Sequence, residues 1–186
     1  MPDPASDLQS KICRAIKALL IAEGAGSEED TIAAPSQAAR PIPNTTILAG
    51  DGTPFSGPGN WQHPVTIDLR DTALTQPEET NPNRTRIDAN NRCTRIVNAL
   101  TRSDDTHTLY YTAQQLTAAG RAMATAVNSS AEAIQFAEDN ADMAEFTVLW
   151  WEAVGSGTAQ TMNGGEAGMF FQRDIQFNCV ACNAVL

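Results

Sequence analysis

Met169-Phe-Phe-Gln-Arg-Asp-Ile-Gln-Phe-Asn-Cys-Val-Ala-Cys182 alternates apolar and polar residues over most of its length. Met169, Phe171, Ile175, Phe177, Cys179 and Ala181 fall on one face of an extended chain. Gln172, Asp174, Gln176 and Asn178 fall on the other. A period of two predicts a strand with one buried face and one face turned to water or to a partner. Just upstream, Phe146-Thr-Val-Leu-Trp-Trp-Glu-Ala-Val154 is packed with β-branched and aromatic residues and predicts a second strand. The connection between them, Gly155 to Gly168, is glycine-rich, and Gly155, Gly157, Gly164 and Gly165 read as its flexible points. Trp150 and Trp151 are adjacent on a strand, so their rings point to opposite sides. Strict alternation places Trp151 with Thr147 and Leu149 on the second face, which makes it the candidate contact with another subunit.

Working back toward the N-terminus, Leu8, Ile12, Ile16, Leu19 and Leu20 form a stripe at helical period. Ser6 and Gln9 stand at capping-box spacing, and Gly24 supplies a stop. This predicts an amphipathic core helix over 7–22. Residues 24–64 are rich in Gly, Pro, Ser and Asn, and are expected to form a long arm or loop with one short strand near Thr45–Ala49. Val65-Thr-Ile-Asp-Leu-Arg-Asp71 alternates and predicts a strand, and Thr75–Arg86 a loop. Asp88 can cap a helix whose apolar face is Ala89, Cys93, Ile96, Val97 and Leu100. Arg92, Arg95 and Arg102 lie on its other side, a solvated face in the plain reading and a partner contact in the functional one. Helices are expected within Thr108–Ala126, ending near Gly120, and over Ser129–Phe136. The order of elements predicts one α+β domain over 1–186, with helices on one face of an antiparallel sheet.

The chain carries 22 acidic and 12 basic residues, a net charge of −10, and no Lys/Arg block. Sequence-specific binding to nucleic acid is therefore not expected, and an anionic membrane would repel it. No apolar run approaches the length of a membrane helix, and Met1-Pro-Asp-Pro does not open like a secretory leader. Synthesis in the cytoplasm is the expectation.

Chemical motifs are few. Cys179-Val-Ala-Cys182 is a C-x-x-C, but it lies on a strand, where positions three apart face opposite ways, and no second ligand pair is present for zinc. Gly50–Gly59 lacks the Lys-Ser/Thr of a phosphate loop. No catalytic, metal or cofactor residue is assigned. A small Cys/His-dependent hydrolase using Cys179 or Cys182 with His63 or His107 is the reading of a different class, and a monomeric ligand-binding α+β domain a third.

The opening helix Leu8–Leu20, the strand Pro64-Val-Thr-Ile-Asp-Leu-Arg70, the helix Asn90–Leu100 and the closing block Asp142–Cys179 appear in an order that resembles the tail-terminator (tail-completion) proteins of long-tailed bacteriophages. That resemblance implies a small structural α+β subunit that closes into a homo-oligomeric ring, commonly a hexamer. The ring would cap the head-proximal end of the tail tube. Its implied partners are itself, the tail tube protein and a neck or connector protein, and its implied location is the virion tail. A neck or head-completion protein is the neighbouring alternative. An acidic lumen would let DNA pass without binding it. Trp151, Arg92, Arg95 and the glycines at 155, 157, 164 and 165 are the expected interface residues.

Overall fold

The alternating C-terminal stretch is the spine of a seven-stranded sheet in a computed structural model that describes residues 4–33, 44–72, 82–101, 111–157, 160–163 and 169–184. The strands are β1 (Thr31–Ala33), β2 (Asn44–Ala49), β3 (Thr53–Pro54), β4 (Trp61–Thr72), β5 (Phe146–Ser156), β6 (Gln160–Asn163) and β7 (Met169–Asn183). The helices are α1 (Pro4–Ala22), α2 (Pro82–Leu100), α3 (Tyr111–Met123) and α4 (Ala131–Asp139), and a 3-10 turn spans Ala141–Glu145. The strand order is β1-β2-β4-β7-β5. β3 pairs with β4, and β6 follows β5 along β7. All pairings are antiparallel except β1 with β2. The expected α+β class, with a long C-terminal β-pair, is what the chain adopts.

Register explains the core. Ile47, Ile67 and Ile175 stand side by side on β2, β4 and β7, and Val65 stands beside Phe177. All are buried on one face. Over this face lie Leu8, Ile12, Ile16 and Leu20 of α1, Ile96 and Leu100 of α2, and Leu116 of α3, all buried. Each such side chain contributes about 1.5–3 kcal/mol on burial, so this single layer contact dominates the stability. The opposite face is polar: Thr66, Asp68 and Arg70 of β4 stand against Gln176, Asp174 and Gln172 of β7.

Several boundaries move. Within 24–64 the short strand expected near Thr45–Ala49 is β2, and β1, β3 and the start of β4 join it in the sheet; residues 34–43 lie outside the described part. The additional strands are short or punctuated by proline and glycine: β1 has three residues, and β3 has two and includes Pro54. α2 begins at Pro82, inside the expected loop, with proline at a helix start where its missing N–H costs nothing. α3 runs through Gly120 to Met123. Gly120 does not end the helix; it lets α3 approach the sheet, since a Cβ there would lie 2.8 Å from Phe146 Cδ1. α4 is capped by Ser130, whose side chain accepts from the Ala133 N–H, as the Ser129–Phe136 helix required.

Candidate interaction surfaces

β5 decides which side chains face outward, and it departs from strict alternation. Two β-bulges interrupt its pairing with β7, between Val148 and Trp150 and between Ala153 and Gly155. The first inserts Leu149 and flips the side chains that follow it as far as the second bulge. Trp151 therefore turns into the core, contrary to its assignment as an interface residue. It is 4% exposed, its ring stacks on Phe177 at 4.7 Å, and its indole N–H donates to the Leu100 carbonyl at 2.8 Å. Trp150 takes the polar face instead, opposite Val180 on β7. At that end of the face Thr147, Val180 and Cys182 are also buried, a small cluster apart from the main core.

The other expected interface residues scatter. Arg92 is buried: its guanidinium donates to Thr45 Oγ1 at 2.9 Å and pairs with Asp30 at 3.2 Å, so it ties α2 to the β1–β2 edge and is not part of a solvated face. Burial would raise the Asp30 carboxyl, but hydrogen bonds from Ser27 and Thr31 and the Arg92 charge hold it below its usual range. Arg95 is exposed on α2. Gly155 lies within β5, and the Gly157 N–H donates to the Asp174 carbonyl at 2.7 Å, so both belong to the sheet ladder and not to a loop. Gly164 and Gly165 lie outside the described residues.

The two halves of β5 differ at their outer edge. On the first half, the Val148 N–H donates to Thr117 Oγ1 at 2.9 Å and the Phe146 carbonyl accepts from Arg121 Nε at 3.0 Å. α3 thus caps these edge groups. On the second half Glu152, Ala153, Val154, Gly155 and Ser156 are exposed, and no described strand lies beyond them.

A cleft of about 310 Å³ opens between α1, α3 and α4, with Arg14, Lys17, Met123, Phe136 and Asn140 in its wall. Its cations are already paired: Arg14 with Asp142 and Asn140, and Lys17 with Glu28 at 2.6 Å. The Arg14 hydrogen bond and charge hold the Asp142 carboxyl below its usual range.

The residues of the hydrolase reading are not assembled for nucleophilic chemistry. Cys179 and Cys182 are both buried, on opposite faces of β7, and burial pushes both thiols up. A thiol nucleophile needs the reverse. Cys13 is likewise buried and raised to about 11. His63 stands opposite Cys179 but is 0% exposed, with Nδ1 3.0 Å from the Gly50 carbonyl and Nε2 buried without a partner. Burial lowers its pKa. His107 lies outside the described residues. Among the described residues no group of three or more His, Cys, Asp or Glu is placed to hold a metal, and no helix is long and apolar enough to cross a membrane. Comparison with protein-family models and with curated proteins gives no match.

Proposed function

We propose that this chain is a structural subunit that works by association, a tail-terminator-like protein whose copies close into a ring at the head-proximal end of a phage tail tube and join it to the neck. The observation that carries the reading is the asymmetry of the sheet. The four stretches that resemble the family fold into one two-layer unit, with α1 and α2 over β4 and β7. Among the described residues, that unit leaves a polar stretch of the opposite face and the exposed second half of the β5 edge for contacts outside the subunit. Ring closure needs heterologous, head-to-tail contacts, which call for distinct surfaces on each subunit. The burial of Cys179, Cys182 and His63 weighs against the thiol-hydrolase reading, which requires an accessible, easily ionised sulfur.

Mass in solution by light scattering, with negative-stain imaging, tests the proposal. The expected result is a ring of defined stoichiometry, formed alone or on addition of tail tube protein. A chain that stays monomeric under both conditions overturns it.

A further inference from the structure

We infer that the outer edge of β5, from Ala153 to Ser156, is the surface by which one copy of this chain pairs with a second copy, strand to strand through main-chain hydrogen bonds. The choice of a second copy rests on the assembly reading above; the location of the contact rests on the following geometry.

Antiparallel pairing turns the main-chain groups of alternate residues inward and outward. The Val148 N–H, held by Thr117, marks the outward set before the first bulge. In the register of β5 against β7, Trp150 and Glu152 stand opposite Val180 and Asn178, which keep the inward set. The Gly157 N–H bond to the Asp174 carbonyl continues that parity. Ala153 and Ser156 therefore present their amide and carbonyl groups to the outside, whereas Trp151, of the same parity, is buried. The hydrogen bonds from α3 to the edge end at Val148; Leu149 and Trp150 are half-buried, Trp151 is buried, and from Glu152 onward the strand is exposed.

Exposed edges are normally blunted by charged side chains, because an uncharged edge is a template for another strand. Here that protection is confined to the two ends: Glu152 is exposed at one, and at the other the Arg173 guanidinium donates to Ser156 Oγ at 3.2 Å and to the Gly157 carbonyl at 3.0 Å. No charged residue occurs between Glu152 and Glu166, although the chain holds 34 charged residues in 186. Val154 projects at the second bulge, 56% exposed. Beside it a depression of about 200 Å³ is walled by Pro64, Thr66, Gln176 and Asn178.

Charge selects the occupant. Two copies, each of net charge −10, repel over most of their surfaces and approach most easily where carboxylates are absent. A basic partner would find no carboxylate along Ala153–Ser156 to attract it. A neutral edge on an acidic subunit suits another acidic subunit of the same kind.

Two substitutions on the full chain test the inference by light scattering and sedimentation across a concentration series. Ala153→Pro removes one outward N–H and leaves the ladder to β7 intact. Val154→Lys adds the missing edge charge on an exposed side chain. Each is expected to weaken self-association at least about tenfold, with the melting curve of the subunit unchanged. If Ala153→Pro disturbs folding, Val154→Lys carries the test. Wild type and both variants assembling equally overturns the edge contact and leaves the ring reading standing. Wild-type pairs that never grow beyond dimers, lost in both variants, support the edge contact and overturn the ring. A wild-type chain that is monomeric at every concentration, with and without tube protein, overturns both.

Discussion

Trp150 and Trp151 are consecutive residues of one strand, yet they sit in different surroundings. Trp151 lies in the main core, stacked on Phe177 and hydrogen-bonded to the last turn of α2. Trp150 lies half-buried on the polar face beside Val180. The difference between them is the difference between the two faces of the sheet. One face is apolar, helix-covered and responsible for stability. The other is polar over its middle, bears like-charged residues opposite one another, and carries only the small buried cluster of Thr147, Val180 and Cys182 at one end.

The largest effect expected from this contrast is at Trp151. Trp151→Ala deletes a buried indole and leaves the Leu100 carbonyl without its donor, for a loss of about 3–5 kcal/mol in chemical denaturation. Trp150→Ala, with less area to lose, should cost under half as much. Equal losses would mean that the two faces are equally structural and would remove the distinction. A smaller effect tests how tightly α3 seals the first half of β5. Gly120→Ala places a methyl 2.8 Å from Phe146 Cδ1 and 3.0 Å from Met143 Cε. Overpacking of about 1–3 kcal/mol then opposes the about 1 kcal/mol that alanine gains over glycine in a helix, so a net loss near 1 kcal/mol is expected. A gain in stability would show that α3 can move away from the strand.

The misassignment of Trp151 shows what the sequence holds and what it lacks. Alternation in 169–182 and the stripe Leu8–Leu20 give the strand, the helix and the fold class, because periodicity records which face is buried. Ordinary alternation through Phe146–Val154 would put Trp151 with Thr147 and Leu149. The bulge at Leu149 reverses that, and a bulge is a property of the pairing with β7, not of the strand's own composition. Arg92 was misread for a related reason. Its partners Asp30 and Thr45 lie in the stretch that reads as an arm, so the ion pair that buries it is visible only once that stretch is sheet. The edge from Ala153 to Ser156 was legible in part: its lack of charge is in the sequence, but its exposure depends on where α3 stops.

Acid should separate the two faces. His63, on the covered face, has its folded pKa lowered by burial, partly offset by the Gly50 carbonyl and the nearby Asp51 charge. Its stabilising contribution is complete above the ordinary histidine value of 6.5 and is lost as pH falls from there through the depressed folded value. Denaturation midpoints are expected to fall between pH 7 and pH 5, and His63→Gln should flatten that decline. A decline of the same size in His63→Gln would assign it to other groups. The lowered carboxyls of Asp30 and Asp142 act in a separate window, below the ordinary aspartate value of 3.8.

The smallest expected effect lies on the open face and has the opposite sign. Asp174 stands directly across from Asp68, and burial together with the Asp68 charge raises its pKa above 3.8. Arg70 and Gln172 are bonded to Asp68, so they relieve the repulsion without removing it. A carboxyl with a raised folded pKa favours the folded state at low pH, and that advantage is lost as pH rises through the folded value. At pH 7 the pair is a net cost, and like charges directly opposite on neighbouring strands destabilise by about 0.2–1 kcal/mol. Asp174→Asn should therefore stabilise the isolated subunit by about that amount at pH 7 and by progressively less as the pH approaches 3.8. A destabilising Asp174→Asn at neutral pH would show that the carboxylate is held by favourable contacts, and the open face would then be as optimised for folding as the covered one. A stabilising result would mark Asp68 and Asp174 as a cost carried on the face of the sheet that the packing under the helices does not reach.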